Sequence, residues 1–211
     1  LRRWWRRKAP HMLVWGIGLS MFVVGTLMEA YFTIAWNGLA FRAWYLSGAM
    51  LTAAWIGQGS VYLLAKRPVP HVTLAILVVV SLVSLYGIAT MTLDNTAASI
   101  DLSLGERYSD IMPKTWVRSP TTIILNLYGT LALVGGALYS AWLFWRKRVL
   151  QDRMWGNILI ATGALTVALG GTLSRLGYGE YLYASELAAA VLMFAGFIIA
   201  SQQGGQEAAV H

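Results

Sequence analysis

The sequence predicts an all-α, polytopic integral membrane protein: a bundle of six transmembrane helices with both termini cytoplasmic. Three observations predict it. Hydrophobic residues make up 57% of the chain and charged residues 12%, where a soluble domain is about a quarter charged. Apolar runs of about 20 residues, the length that crosses a hydrocarbon core, recur six times. Lysine and arginine alternate in density from one connecting segment to the next, as membrane topology requires.

The runs are His11–Trp36, Phe41–Ala65, His71–Leu93, Thr121–Trp145, Trp155–Ser174 and Tyr181–Ser201, each bounded by charge, proline or a glycine-rich turn. Their unbroken hydrophobicity favours helices over barrel strands, which would alternate at every second residue. Residues 1–10 form a basic cytoplasmic segment, 11–201 the membrane domain, and 202–211 a cytoplasmic tail expected to be disordered. The apolar run after the basic head continues for about 26 residues with no small-residue cleavage site near its end. It reads as a first span and not as a cleaved leader.

Orientation follows from the basic residues. One side collects Arg2, Arg3, Arg6, Arg7, Lys8, Lys66, Arg67, Arg146, Lys147, Arg148 and Arg153; the other has Arg42, Arg107, Lys114, Arg118 and Arg175. The richer side is cytoplasmic, and the expected setting is the cell membrane. The net charge of +7 points to anionic lipids at that face, because the charges flank apolar runs. It does not point to nucleic acid. Segment 94–120 carries seven charged residues and is read as an extracytoplasmic loop covering part of the outer face. Within it, Ser99–Leu104 alternates apolar and polar residues, as a short strand or an amphipathic turn would. The many tryptophans and tyrosines at run ends, Trp36 and Trp44 among them, read as an interfacial belt.

Within the spans, chemistry-bearing residues are few. Glu29 is the one formal charge between Pro10 and Phe41. It lies seven residues before Trp36, about 10 Å below the outer surface at 1.5 Å per residue. Arg42, Asn126, Arg175 and Glu186 fall at a similar height. An acid in a bilayer needs a partner, a proton or water, so Glu29 is expected to pair with one of the arginines. Two readings of the five residues stand side by side: interhelical ion pairs, or a ligand or ion site open to the outside. Deeper, Gln58 lies between two glycines in WIGQGS. With the doublets Gly135–Gly136 and Gly170–Gly171, it reads as interhelical packing.

Familiar chemistries find no residues. There is no cysteine, hence no thiolate site. The four lysines lie outside the spans, which excludes a retinal Schiff base. His11 and His71 stand at the inner interface, where capping fits better than haem ligation. No metal motif occurs. A faint match between residues 47–60 (SGAMLTAAWIGQGS) and 162–174 (TGALTVALGGTLS) hints at an inverted three-helix repeat, but it needs one-residue gaps and uses common membrane residues. The leading expectation is a transporter or channel with an outward-facing polar site. The alternative is a non-catalytic structural or accessory subunit of a larger membrane complex, with protein partners or copies of itself. A third is a lipid- or quinone-handling enzyme using Glu29 or Glu186 as acid or base.

Overall fold

The structure is a computed structural model. It describes residues 10–94, 104–115, 118–147, 151–176, 178 and 180–207. The described residues are helical with no strand. The elements are α1 (Pro10–Tyr31), α2 (Gly38–Trp44), a π-helix (Tyr45–Leu51), α3 (Thr52–Leu64), α4 (Val69–Thr90), α5 (Leu104–Ile111), α6 (Ser119–Lys147), α7 (Gln151–Arg175) and α8 (Glu180–Glu207). Five of the helices, α1, α4, α6, α7 and α8, contain segments long and apolar enough to cross a membrane. The protein is therefore membrane-embedded and multi-pass.

The predicted run Phe41–Ala65 is divided. It is covered by α2, the π-helix and α3, which follow one another from Gly38 to Leu64 without interruption. Local chemistry sets its ends. Asn37 caps the start, its side-chain oxygen accepting from the backbone N–H groups of Leu39 and Ala40 at 2.8 and 3.1 Å, as an N-cap asparagine does. The helix stops at Leu64, ahead of the turn Lys66–Arg67–Pro68. Proline then reopens the helical path, with Pro70 in the first turn of α4 where a missing N–H is tolerated.

The chain divides into two compact units, Leu1–Ala132 and Leu133–His211. In the first, α1 runs antiparallel to the second apolar run. Ile56 lies opposite Gly18, Gly48 opposite Gly25, and Trp15 opposite Gly59. A Cβ placed on Gly25 would stand 2.7 Å from the Cα of Gly48, so the crossing exists only because neither residue has a side chain. The other half of this core is aromatic. Phe32, Trp36, Phe41, Trp44, Tyr45 and Tyr108 form a continuous series with successive ring centroids 5.2 to 6.1 Å apart, within the favourable range for tilted aromatic pairs. Trp44, expected at the interfacial belt, is thus a core residue with 8% exposure.

The polar segment after α4 contributes to the same core. It carries α5, and its Ile111 and Met112 are buried. The Asp94 N–H donates to the carbonyl of Ile111 at 2.8 Å, which ties the segment back to the end of α4. Of the predicted alternating stretch Ser99–Leu104, residues 99–103 lie outside the described residues, and Leu104 opens α5.

The second unit rests on a close antiparallel pair, α7 and α8. Gly156, Gly163 and Gly170, seven residues apart, form one seam of α7. They meet Gly196, then Ala189 and Met193, then Ser185 of α8. A strict seven-residue repeat favours a left-handed crossing. Ala161 and Ala164 pack with Val134 of α6 beside this pair. Helix α8 continues to Glu207, into the stretch expected to be a disordered tail. No proline interrupts it, and each further residue of an established helix adds a hydrogen bond. Residues 1–9 of the basic segment and 208–211 of the tail lie outside the described residues.

A candidate polar site on the second apolar run

The five polar residues grouped by depth divide between the units. Glu29, Arg42 and Asn126 belong to the first; Arg175 and Glu186 belong to the second. Glu29 is half-buried one turn beyond Gly25, on the face of α1 that packs against the second run. Glu186 is half-buried in the second turn of α8, beside the Ser185 that meets Gly170. Arg175 ends α7, and its side chain lies outside the described residues.

What assembles is a polar seam within the first unit. The Arg42 guanidinium donates to the carbonyl of Ile88 through one nitrogen and to that of Met91, at 2.6 Å, through the other. These carbonyls belong to the end of α4, where a helix leaves its last acceptors without N–H partners. A guanidinium suits them because it carries several donors in a rigid fork. Tyr45, one turn further along, has its hydroxyl 3.3 Å from the carbonyl of Arg118 and 3.2 Å from the hydroxyl of Thr122. Arg118 is buried at 3% exposure. It donates to the carbonyl of Met112 and lies over the ring of Tyr108, 5.0 Å from the centroid. The stacking replaces part of the hydration that burial removes.

Asn126 completes the seam. Its amide donates to the carbonyl of Ala49 at 2.8 Å and to that of Thr122 in its own helix at 3.0 Å. Ala49 lies inside the π-helix, where the i+5 pattern displaces carbonyls from α-helical partners. At the end of that segment, the Thr52 hydroxyl and its backbone N–H both reach the carbonyl of Ser47. The side chains of Asn126 and Thr52 therefore serve the same irregular stretch from two sides.

Deeper in the unit, Gln58 is fully buried. Its amide nitrogen donates to the carbonyl of Pro70 at 2.8 Å, and its oxygen accepts from the Tyr128 hydroxyl. One glutamine thus links three helices. Trp55 donates to the Ser81 hydroxyl at 3.2 Å. The four doublet glycines behave differently from one another. Gly170 touches α8, Gly136 is half-buried, and Gly135 and Gly171 would present a Cβ to open space. Adjacent helical residues point about 100° apart, so a doublet cannot place both members on one seam. The close contacts of the first unit fall on single glycines instead, Gly57 and Gly129 among them. A Cβ on Gly57 would stand 2.8 Å from the Cα of Gly129.

The two stretches of the faint repeat are not in equivalent settings. Gly48 meets the span before it and Gly163 the span after it. His11 packs edge-on against Trp15 and His71 against Tyr62. Among the described residues no group of three histidines or acids is placed to hold a metal ion. A shallow groove of about 270 Å³ runs beside Gly16, Ile17, Ser20, Met21, Val24 and Ser47. Its two hydroxyls turn to carbonyls of their own helices, which leaves an apolar lining with no glutamate. Compared with known proteins, the chain matches no protein-family model, no curated protein and no solved structure.

Proposed function

We propose that this protein is a helical scaffold or accessory subunit of a larger membrane assembly. The observation that carries this reading is where the polar side chains end. Arg42, Arg118 and Asn126 donate to the backbone carbonyls of Ile88, Met91, Met112 and Ala49, bonds that fix helices to one another. Native mass spectrometry after gentle extraction from the protein's own membrane tests it. Stoichiometric protein partners are expected. A lone chain or homo-oligomer would reject the subunit role.

One observation favours a transporter or channel as the second reading. A π-helix is an uncommon feature that concentrates at functional sites, and this one meets Gly25 of α1, one turn from Glu29, through Gly48 and accepts the Asn126 amide at Ala49. In that case Glu29→Gln abolishes transport while the protein still folds.

The six-span topology, with both termini cytoplasmic in the cell membrane, is part of the same proposal. It treats Gly38–Leu64 as one span and follows the lysine and arginine distribution. Because the sequence has no cysteine, single introduced cysteines read it cleanly. Lys66→Cys and Lys147→Cys should be labelled from one side, and Ser109→Cys and Tyr178→Cys from the other. Labelling of positions 66 and 109 from the same side would break the topology.

A further inference from the structure

The two ends of the first unit differ in charge. Its described acids, Glu29, Asp94, Glu106 and Asp110, lie near or beyond the ends of α1 and α4 where the polar seam sits, mixed there with Arg42, Arg107, Lys114 and Arg118. The opposite end has the turn Lys66–Arg67, with His11 opening α1 and His71 opening α4. Helical rise separates His11 from Glu29 by about 27 Å and His71 from Thr90, where α4 ends before Asp94, by about 28 Å. Both exceed the screening length of about 8–10 Å, so these acids do not neutralise the turn.

The turn is also firmly seated. Gln58 donates to the carbonyl of Pro70, which fixes the start of α4 against α3, and within α4 the Thr73 hydroxyl turns back to the carbonyls of Val69 and Pro70. On one side Trp15 packs over Gly59 and holds the His11 ring at 5.3 Å. On the other, Tyr62 holds the His71 ring at 5.4 Å. Lys66, Arg67 and His71 are exposed. The result is a fixed cationic rim above two amphipathic aromatic side chains, Trp15 and Tyr62, of the kind that prefers the headgroup level of a bilayer.

We infer that this end of the first unit is a binding site for the phosphate headgroup of an anionic phospholipid, held by Lys66 and Arg67 with His11 and His71 at its edges. Charge complementarity selects the lipid class. The aromatic pair beneath the rim selects a phosphate that arrives on a lipid. The site differs from a diffuse attraction to the basic N-terminal segment because its charges stand on a turn fixed by Gln58.

The test uses the full chain in mixed micelles of phosphatidylglycerol and phosphatidylcholine, with retained lipid counted by native mass spectrometry. The native protein should retain phosphatidylglycerol preferentially. The double variant Lys66→Gln/Arg67→Gln should lose about thirtyfold of that retention, the scale expected for two basic side chains near an anionic surface, with phosphatidylcholine unchanged. The charge-conserving pair Lys66→Arg/Arg67→Lys should keep it, and an unchanged melting temperature for the Gln pair separates lost binding from lost folding. If the Gln pair melts early, the single variant Lys66→Gln is read instead and should lose about fivefold. Equal retention of both lipids by the native protein overturns the inference. So does undiminished retention by the Gln variants. Selectivity that follows neutralisation of Arg2, Arg3, Arg6, Arg7 and Lys8 in place of the turn also overturns it, as does displacement of the lipid by inorganic phosphate at equal concentration.

Discussion

The two units meet the same problem, and each displays a different part of the answer. Hydrophobic burial gives helices little reason to associate when the solvent is itself apolar, so contact must come from close packing or from hydrogen bonds between helices. The first of these is plainest in the second unit. Its α7–α8 pair closes on a glycine seam, and Thr162, Thr166, Thr172 and Ser185 turn their hydroxyls to carbonyls of their own helices. The first unit uses both. It has tight crossings at Gly25, Gly48, Gly57 and Gly129, and it adds Arg42, Tyr45, Gln58, Arg118 and Asn126 as ties from one element to another. A seam of small residues specifies distance and tolerates sliding. A side chain aimed at one carbonyl specifies register as well.

Substitutions can break this comparison, and the largest effect is expected at Gly129. Its Cβ would enter the backbone of Ala53, which cannot yield as a side-chain tip can. Gly129→Leu should cost about 3 kcal/mol or more, the upper end of overpacking, read as loss of cooperative unfolding in detergent. Gly163→Leu presses mainly on Met193, 2.7 Å from its Cβ, a flexible side chain. It should cost about 1–3 kcal/mol. Equal penalties would mean that the two packings are of one kind.

Next comes Arg42→Gln, which removes a charged donor from two carbonyls. A loss of about 1.5–3 kcal/mol is expected, together with faster hydrogen exchange at the end of α4. An unchanged exchange pattern there would show that the tie does not set register. Asn126→Ala should cost roughly 0.6–1 kcal/mol, the usual scale of a hydrogen bond between membrane helices, with new mobility confined to residues 45–51. The smallest effect is at Gly135, whose Cβ would meet nothing within 4 Å. Gly135→Ala should leave thermal stability unchanged or raise it by up to about 1 kcal/mol, through helix propensity alone. A loss there would place an unseen contact on that face.

The membrane class and five of the spans were legible because bilayer thickness imposes a length and a composition that a sequence displays directly. The polar residues Glu29, Arg42, Asn126 and Gln58 were legible because polarity inside an apolar run is conspicuous. What Arg42, Asn126 and Gln58 bind was not. The acceptors for Arg42 and Asn126 are backbone carbonyls, exposed by the end of α4 and by the π-helix, and a carbonyl has no signature in the residue that bears it. Arg118 and Tyr45 are not legible as partners for a related reason: one reads as a loop charge, and nothing in the sequence sets the other apart from the aromatic residues around it. The informative glycines are single ones set along a seam, not the doublets. The spacing of seven in Gly156, Gly163 and Gly170, and again in Gly18 and Gly25, was the available signal. It reports a seam directly, as the doublets do not.

The π-helix has a further consequence for how this chain can be compared with any other. A regular helix assigns each residue an angular position from its number alone, about 100° per step. Seven residues wound more loosely break that arithmetic within Gly38–Leu64. A helical wheel drawn through the whole stretch puts Arg42 and Gln58 on inconsistent faces. A relative without the π-helix would align only after one position is skipped near Tyr45–Leu51. The phase of the segment that precedes it, and with it the aim of Arg42 at the end of α4, is thus encoded in a count of residues as well as in their identities.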